Sequence, residues 1–229
     1  MAYRFTAIEP IRYHEFDYEK FLNFSIANSQ LGELPFRKEW KDKWLSILTK
    51  YDDDVKKYIE SHSDTNPMLE RAKANPKQFK KRNEMFLYEF TSPNAGSFYF
   101  HFDVEKIKRL AEKNRLHKVT LNRFQFYLDK DTPYEKSRII NSSLPIFAPI
   151  FAVPQQYVAV DGNKRIMAKL INGERKFSGL ALDPQQAVEC FFFDLDAWFY
   201  RLLREMSSFS KLIYLKIPFS EIKNQSFVL

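Results

Sequence analysis

The sequence predicts an α+β fold: a helical N-terminal region followed by a small mixed-sheet domain. Three observations carry this. Apolar residues recur at helical spacing through the first part of the chain. From Lys118 onward they alternate or gather in strand-sized runs. Turn residues then separate those runs at short intervals, as in Asp161-Gly162-Asn163 and Asn172-Gly173. The 229 residues are 45% hydrophobic and 28% charged, which supports a packed core and excludes wholesale disorder. Only 5 residues are Gly while 23 are Phe and 12 are Tyr, so a collagen-like or Gly-rich chain is excluded.

Taken in order, Phe16, Phe21, Phe24 and Ile26 predict a helix from about Asp17 to Gln30, broken by Gly32 and Pro35. Trp40, Trp44, Ile47, Leu48, Tyr51, Val55, Tyr58 and Ile59 form one apolar stripe on a long helix. New helix starts are expected at Asn66-Pro67 and at Asn75-Pro76. Thr91–Ser97 reads as a loop, Phe98–Phe102 as a strand, and Asp103 as the cap of a helix over Val104–Asn114. Val119 to Leu128 reads as a strand with an irregularity at Asn122-Arg123. Thr132-Pro133 opens a short helix to about Asn141. Strands follow at Pro149–Val153 and Tyr157–Val160, then a helix over Lys164–Ile171, a strand over Phe177–Leu182, and a helix opened by Asp183-Pro184. Asp194 caps a helix over Leu195–Met206, and the alternation of Lys211–Ile217 predicts a last strand. These elements divide the chain into a mainly helical region (1–115), a mixed-sheet core (116–190) and a C-terminal helix and strand packing on that core (191–229).

Several function classes are excluded or weakened. One cysteine, Cys190, cannot build a disulfide framework, a Cys-based zinc site or a paired-thiol redox centre. Its apolar neighbours Val188, Phe191 and Phe192 predict an inert buried thiol. A cytoplasmic location is the expectation from this cysteine usage. Met1–Pro10 does not read as a signal peptide, and no apolar run is long enough for a transmembrane helix, so no membrane partner is expected. His14, His62, His101 and His117 do not pair at metal spacing. Asp52-Asp53-Asp54 points three ways on a helix and reads as surface. No Gly-x-Ser-x-Gly elbow, Walker loop or dinucleotide fingerprint occurs. The Trp40/Trp44/Tyr51 stripe reads as core before it reads as a base-stacking face. The aromatic cluster of Phe191, Phe192, Phe193, Trp198, Phe199 and Tyr200 reads as core or as a surface for a protein partner or a homodimer. The charge of +7 and the basic run Lys77–Arg82 leave DNA open as a partner, beside the plainer reading of a solvated helix face.

Residues 144–173 are the informative part. A strand ends in Asp161-Gly162-Asn163 and a helix follows at once. A helix start presents backbone N–H groups without intrahelical partners, and its dipole adds positive potential. Lys164 and Arg165 place two further positive charges in the first turn, against the helix's own preference. Such a placement suits a bound phosphate, with Arg165 as a bidentate clamp and Lys164 as a point charge. The plainer reading has Asp161 capping the helix and both cations paired with acids such as Asp161 or Asp183. By spacing alone the two stand level.

The run Leu144-Pro145, Pro149–Val153 and Tyr157-Val158-Ala159-Val160-Asp161-Gly162-Asn163-Lys164-Arg165-Ile166-Met167-Ala168 resembles the core of the ParB/sulfiredoxin superfamily. That core pairs a Pro-Ile strand with a second strand, an Asp-Gly-x-His-Arg turn and an Ala-bearing helix. The likeness spans about residues 118–188. It implies a phosphate cradle at Asp161, Gly162, Asn163, Lys164 and Arg165, a nucleoside triphosphate with Mg²⁺ as ligand, and phosphate hydrolysis or transfer as the reaction class. Asp161 or Asp183 would be the carboxylates nearest a metal. Two departures limit the transfer. Lys164 stands where the family usually has His, and an ordinary Lys stays protonated near neutral pH. Asn163 stands where sulfiredoxin has its nucleophilic Cys, so sulfinic-acid reduction is not implied. The alternatives are a DNA-associated, nuclease-like protein of a mobile element or defence system, and a non-catalytic interaction module.

Overall fold

The computed structural model describes residues 2–4, 16–61, 84–129, 132–134 and 143–229. The helix starts expected at Asn66-Pro67 and Asn75-Pro76 and the basic run Lys77–Arg82 lie outside the described residues. So do His14, His62 and most of the helix expected after Thr132-Pro133, while 132–134 are irregular. The fold is α+β, with helices predominating in the N-terminal region and two sheets, one three-stranded and one five-stranded. Among the described residues no helix is long and apolar enough to cross a membrane.

The chain divides into two compact units that interleave along the sequence. The first comprises Met1–Glu9, Asp64–Tyr88 and Phe100–Phe192, and the second Pro10–Ser63, Glu89–Tyr99 and Phe193–Leu229. Two of the crossings fall in a hairpin of β2 (Glu84–Ser92) and β3 (Gly96–Asp103), joined by a tight turn over 93–95. Thr91–Ser97, read as a loop, is thus mostly strand. β2 itself has no counterpart among the expected elements. Backbone hydrogen bonds underlie part of this grouping. The Asp103 N–H donates to the Cys190 carbonyl at 2.8 Å, and the Phe192 N–H donates to the His101 carbonyl at 2.9 Å. These bonds tie 101–103 to 190–192 within the first unit.

In that unit, β1 (Ala2–Arg4) pairs antiparallel with β2. Asp103 is fully buried and accepts from the N–H groups of Glu105 and Lys106, capping α3 (Val104–Glu112) as expected. The five-stranded sheet comprises β4 (His117–Asn122), β5 (Phe126–Tyr127), β6 (Ile146–Pro149), β7 (Tyr157–Asp161) and β8 (Lys176–Ala181). Their spatial order is β4-β8-β6-β7-β5. The irregularity at Asn122-Arg123 is a 3-10 turn over Arg123–Gln125 between β4 and β5. β6 lies at the centre, parallel to β8 and antiparallel to β7. It begins and ends earlier than the run Pro149–Val153 suggested. Pro149 has no N–H to continue a ladder, and Ala152 takes a left-handed φ of 60°. α4 (Asn163–Ile171) covers one face of this sheet: Ile166 packs with Phe126, Phe147, Ala159 and Phe177. α5 (Pro184–Glu189) starts at the expected Asp183-Pro184 cap, with Asp183 and Gln186 exchanging bonds to each other's backbone.

The second unit is helical around aromatic side chains. α1 (Tyr18–Ala27) is capped by Asp17, and α2 spans Arg37–Ser61. α6 runs over Asp194–Tyr214 and α7 over Phe219–Lys223. The strand expected at Lys211–Ile217 is therefore helix up to Tyr214. Met206, Phe209 and Ile213 continue the buried stripe of α6, and no Gly or Pro interrupts it. This C-terminal part packs with the helices of its own unit. Phe199 touches the rings of Phe16, Phe21, Phe90 and Phe98, the last at 4.2 Å between centroids. Trp40 and Trp44 are wholly buried, so the stripe is core.

Candidate functional site

The candidate site is the turn from β7 into α4, within the first unit. β7 ends at Asp161, and Gly162 takes φ +88°, a left-handed conformation that side chains disfavour. The position is also crowded. A Cβ there would lie 2.7 Å from Arg165 Nη2 and 2.9 Å from Pro145 Cβ. Glycine is thus required twice over, for backbone handedness and for close approach. α4 begins at Asn163 with Gly162 as its cap residue, and no side chain caps the first turn.

The five expected residues are contiguous, and the structure separates their roles. Arg165 Nη2 donates to Asp161 Oδ2 at 2.8 Å, and both side chains are at least four-fifths buried. The same Nη2 lies 3.4 Å from the Leu144 carbonyl. Arg165 is thereby folded back over Gly162 and held there. Asp161 is a partner for Arg165, not a helix cap. Asn163 is buried and turned inward, its Nδ2 donating to the Ala159 carbonyl at 2.8 Å, while its Oδ1 meets no partner. Lys164 is exposed at the same helix start. The turn therefore offers positive charge at a helix N-terminus, one cation exposed and one oriented by a carboxylate.

Sequence reasoning missed the other side of this site. Leu144-Pro145 lies about 20 residues before Arg165 and forms its wall. No local signal links them; the β6–β7 pairing does, by setting Ile146 opposite Asp161. Gly179 of β8 makes room for the same segment: a Cβ there would come within 2.7 Å of the Pro145 carbonyl oxygen. Two of the chain's five glycines thus closely approach the same proline.

The remaining candidates resolve into structural roles. Asp183 accepts from the Gln186 N–H as a cap. Asp52 is buried and accepts from the Tyr18 hydroxyl at 3.0 Å, so it is not surface, whereas Asp53 and Asp54 are exposed. Among the described residues no group of three or more His, Cys, Asp or Glu side chains gathers to hold a metal. Cys190 is buried, and burial pushes its thiol up to about 12, Lys106 only partly opposing this. Tyr88 is likewise raised to about 12, first by burial and then by Tyr127. His101 is a buried residue of β3. Neither the family models, nor the curated proteins, nor the solved structures contain a match to this chain.

Proposed function

We propose that the Asp161–Arg165 turn binds a phosphate group of a nucleotide, as the resemblance to the ParB/sulfiredoxin superfamily implies. One observation carries the reading: α4 starts on a glycine without a side-chain cap, and Lys164 and Arg165 stand in its first turn. A phosphate there accepts from the N–H groups of the helix start and gains from the dipole. Lys164 supplies a point charge. The Asp161 carboxylate holds the Arg165 guanidinium in place, which lowers the ordering cost of a contact with the ligand. Gly162 lets the Arg165 guanidinium lie close over the turn. For a nucleoside triphosphate, Mg²⁺ arrives on the phosphates, since Asp161 and Asp183 are engaged with Arg165 and with the α5 cap. Hydrolysis or transfer of phosphate would follow from that metal and the two cations. The likeness places Lys164 where the family's His stands, so binding without turnover is the first expectation.

The test is a thermal-shift panel of ATP, ADP, CTP, GTP and pyrophosphate, with and without Mg²⁺. A ligand at 100-fold its dissociation constant stabilises by about 2.7 kcal/mol, a readable rise in melting temperature. The expected result is a shift for the wild type that Lys164→Ala reduces and Arg165→Ala abolishes. No shift with any phosphate compound overturns the reading, and salt-sensitive DNA binding would then be sought instead.

A further inference from the structure

Beside the turn, meeting it at Leu144, lies a small cleft of about 180 Å³. It is lined by Lys118, Val119 and Thr120 of β4, Ser178 and Gly179 of β8, and Leu144. The register of the two strands sets Thr120 opposite Ser178 and Val119 opposite Gly179. Phe177 and Ala181 belong to the core cluster below, so the alternation of β8 turns Ser178 outward, and Lys118, Thr120 and Ser178 are exposed. The two hydroxyls lie 3.3 Å apart, and either can donate to the other.

The cleft and the turn share a wall. Leu144 lines the cleft, and its carbonyl faces Arg165 Nη2. Pro145 packs closely on Gly162 of the turn through its ring and on Gly179 of the cleft through its carbonyl. A ligand anchored by a phosphate at the turn therefore has a built recess next to it.

We infer that this recess takes the sugar of the nucleotide, and that the ligand is a ribonucleotide. The inference rests on the phosphate reading of the turn. The volume is below the roughly 300 Å³ at which whole-ligand pockets begin, so the recess suits one fragment. A base is the poorer fit, because the lining holds no aromatic ring to stack on it and no side-chain amide to read its edge. Thr120 and Ser178 present two adjacent hydroxyls, each able to donate and accept, which match the two adjacent hydroxyls of ribose. The ammonium of Lys118 adds a donor, and Leu144 covers an apolar face of the ring. A 2′-deoxyribose offers this pair one hydroxyl fewer and so forms one hydrogen bond fewer in the recess.

The experiment compares dissociation constants of ATP, 2′-deoxy-ATP and pyrophosphate by isothermal titration. The proteins are the wild type, Thr120→Val, Ser178→Ala and the double variant. Both substitutions sit on an exposed sheet face, and Val favours a strand, so the fold is retained. The expected result is a preference of about tenfold for the ribonucleotide in the wild type. The preference falls to near unity in the double variant, while pyrophosphate binds all four proteins alike. Equal affinity for the two nucleotides in the wild type, or a preference that survives in the double variant, overturns the sugar assignment and leaves the turn standing. Failure of all three compounds to bind the wild type overturns the turn and the recess together.

Discussion

The two units bury charge in opposite ways. In the second unit, Glu205 lies in the middle of α6, only 2% exposed. Its Oε1 accepts from the indole N–H groups of Trp40 at 2.5 Å and Trp44 at 3.4 Å, and from the Ser226 hydroxyl at 2.7 Å. Its Oε2 accepts from the Phe227 N–H at 2.7 Å. Every donor is neutral and belongs to the fold. In the first unit, Asp161 has one charged partner, Arg165, beside a helix start that no side chain caps. A carboxylate saturated by neutral donors fixes architecture: it ties α2 and the segment after α7 to α6. A carboxylate that orients a cation at an open helix start leaves capacity for an incoming anion. The presence of a buried charge does not distinguish architecture from a site; what the surrounding donors leave over does.

The sharpest way to break this contrast is Glu205→Gln. The amide keeps the volume but turns an NH₂ toward one set of donors, leaving buried N–H groups unmatched. We expect a loss of about 3 kcal/mol, and about 1 kcal/mol for Ser226→Ala, which removes a single donor. All three tryptophans, Trp40, Trp44 and Trp198, lie in the second unit. Tryptophan fluorescence during chemical denaturation therefore reads this unit directly. A Glu205→Gln loss no larger than that of Ser226→Ala would show that the carboxylate is not the anchor its geometry describes.

The next test sits at the turn. Gly162 and Gly173 both have positive φ, +88° and +95°, but a Cβ at Gly173 meets nothing within 4 Å. Gly173→Ala should cost about 1 kcal/mol, from handedness alone. Gly162→Ala should cost about 2 kcal/mol or more, because the methyl also presses on Pro145 and on the Arg165 guanidinium. The chain's one thiol, Cys190, is buried in this unit, so its alkylation in a denaturant series is the natural readout. Equal losses at the two glycines would mean that the Pro145 wall yields readily.

The same contrast explains what was legible in the sequence. The helix start near Asp17, the cap at Asp103, the helix opening at Asp183-Pro184, the reversal at Gly162 and the helix end at Gly173 were all readable. Each depends on residues within a few positions of one another. The wide stripe of α2 was readable because 3.6-residue periodicity is also local. The strand β2 was not, since its Met85-Phe86 start lacks alternation and its partner β1 is distant in sequence. Ile213 to Ile217 looked like alternation only when cut from the α6 stripe that it extends. At the site, the contiguous Asp161–Arg165 run was visible, while Pro145, Gly179 and the Thr120–Ser178 pair became neighbours only through sheet order. Glu205 carried no sequence signal, for its donors come from positions about 20 to 165 residues away.

Alkaline titration sharpens the contrast from the other side and is the smallest effect. Cys190 and Tyr88 lie in the first unit, and burial raises both to about 12 in the folded chain. The unfolded thiol ionises near 9 and the unfolded phenol near 10. A raised pKa means that the fold favours the protonated form. That stabilisation is complete below the unfolded values and drains away as pH rises from about 9 to about 12. Between pH 8 and pH 10 the thiol alone should remove about 1 kcal/mol from the first unit, at up to about 1.4 kcal/mol per pH unit. Cys190→Ala should postpone the loss to the range in which Tyr88 titrates. In the second unit, Asp17 is held low by the Lys20 backbone N–H, and Glu39 by its bond to Lys223. Those carboxylates contribute above their ordinary range and lose their contribution only as pH falls through their folded values, so alkali leaves them untouched. Fluorescence of the second unit should therefore hold steady over the same pH interval in which the thiol of the first becomes easier to unmask. A parallel decline of both signals would place the alkaline sensitivity outside Cys190 and Tyr88.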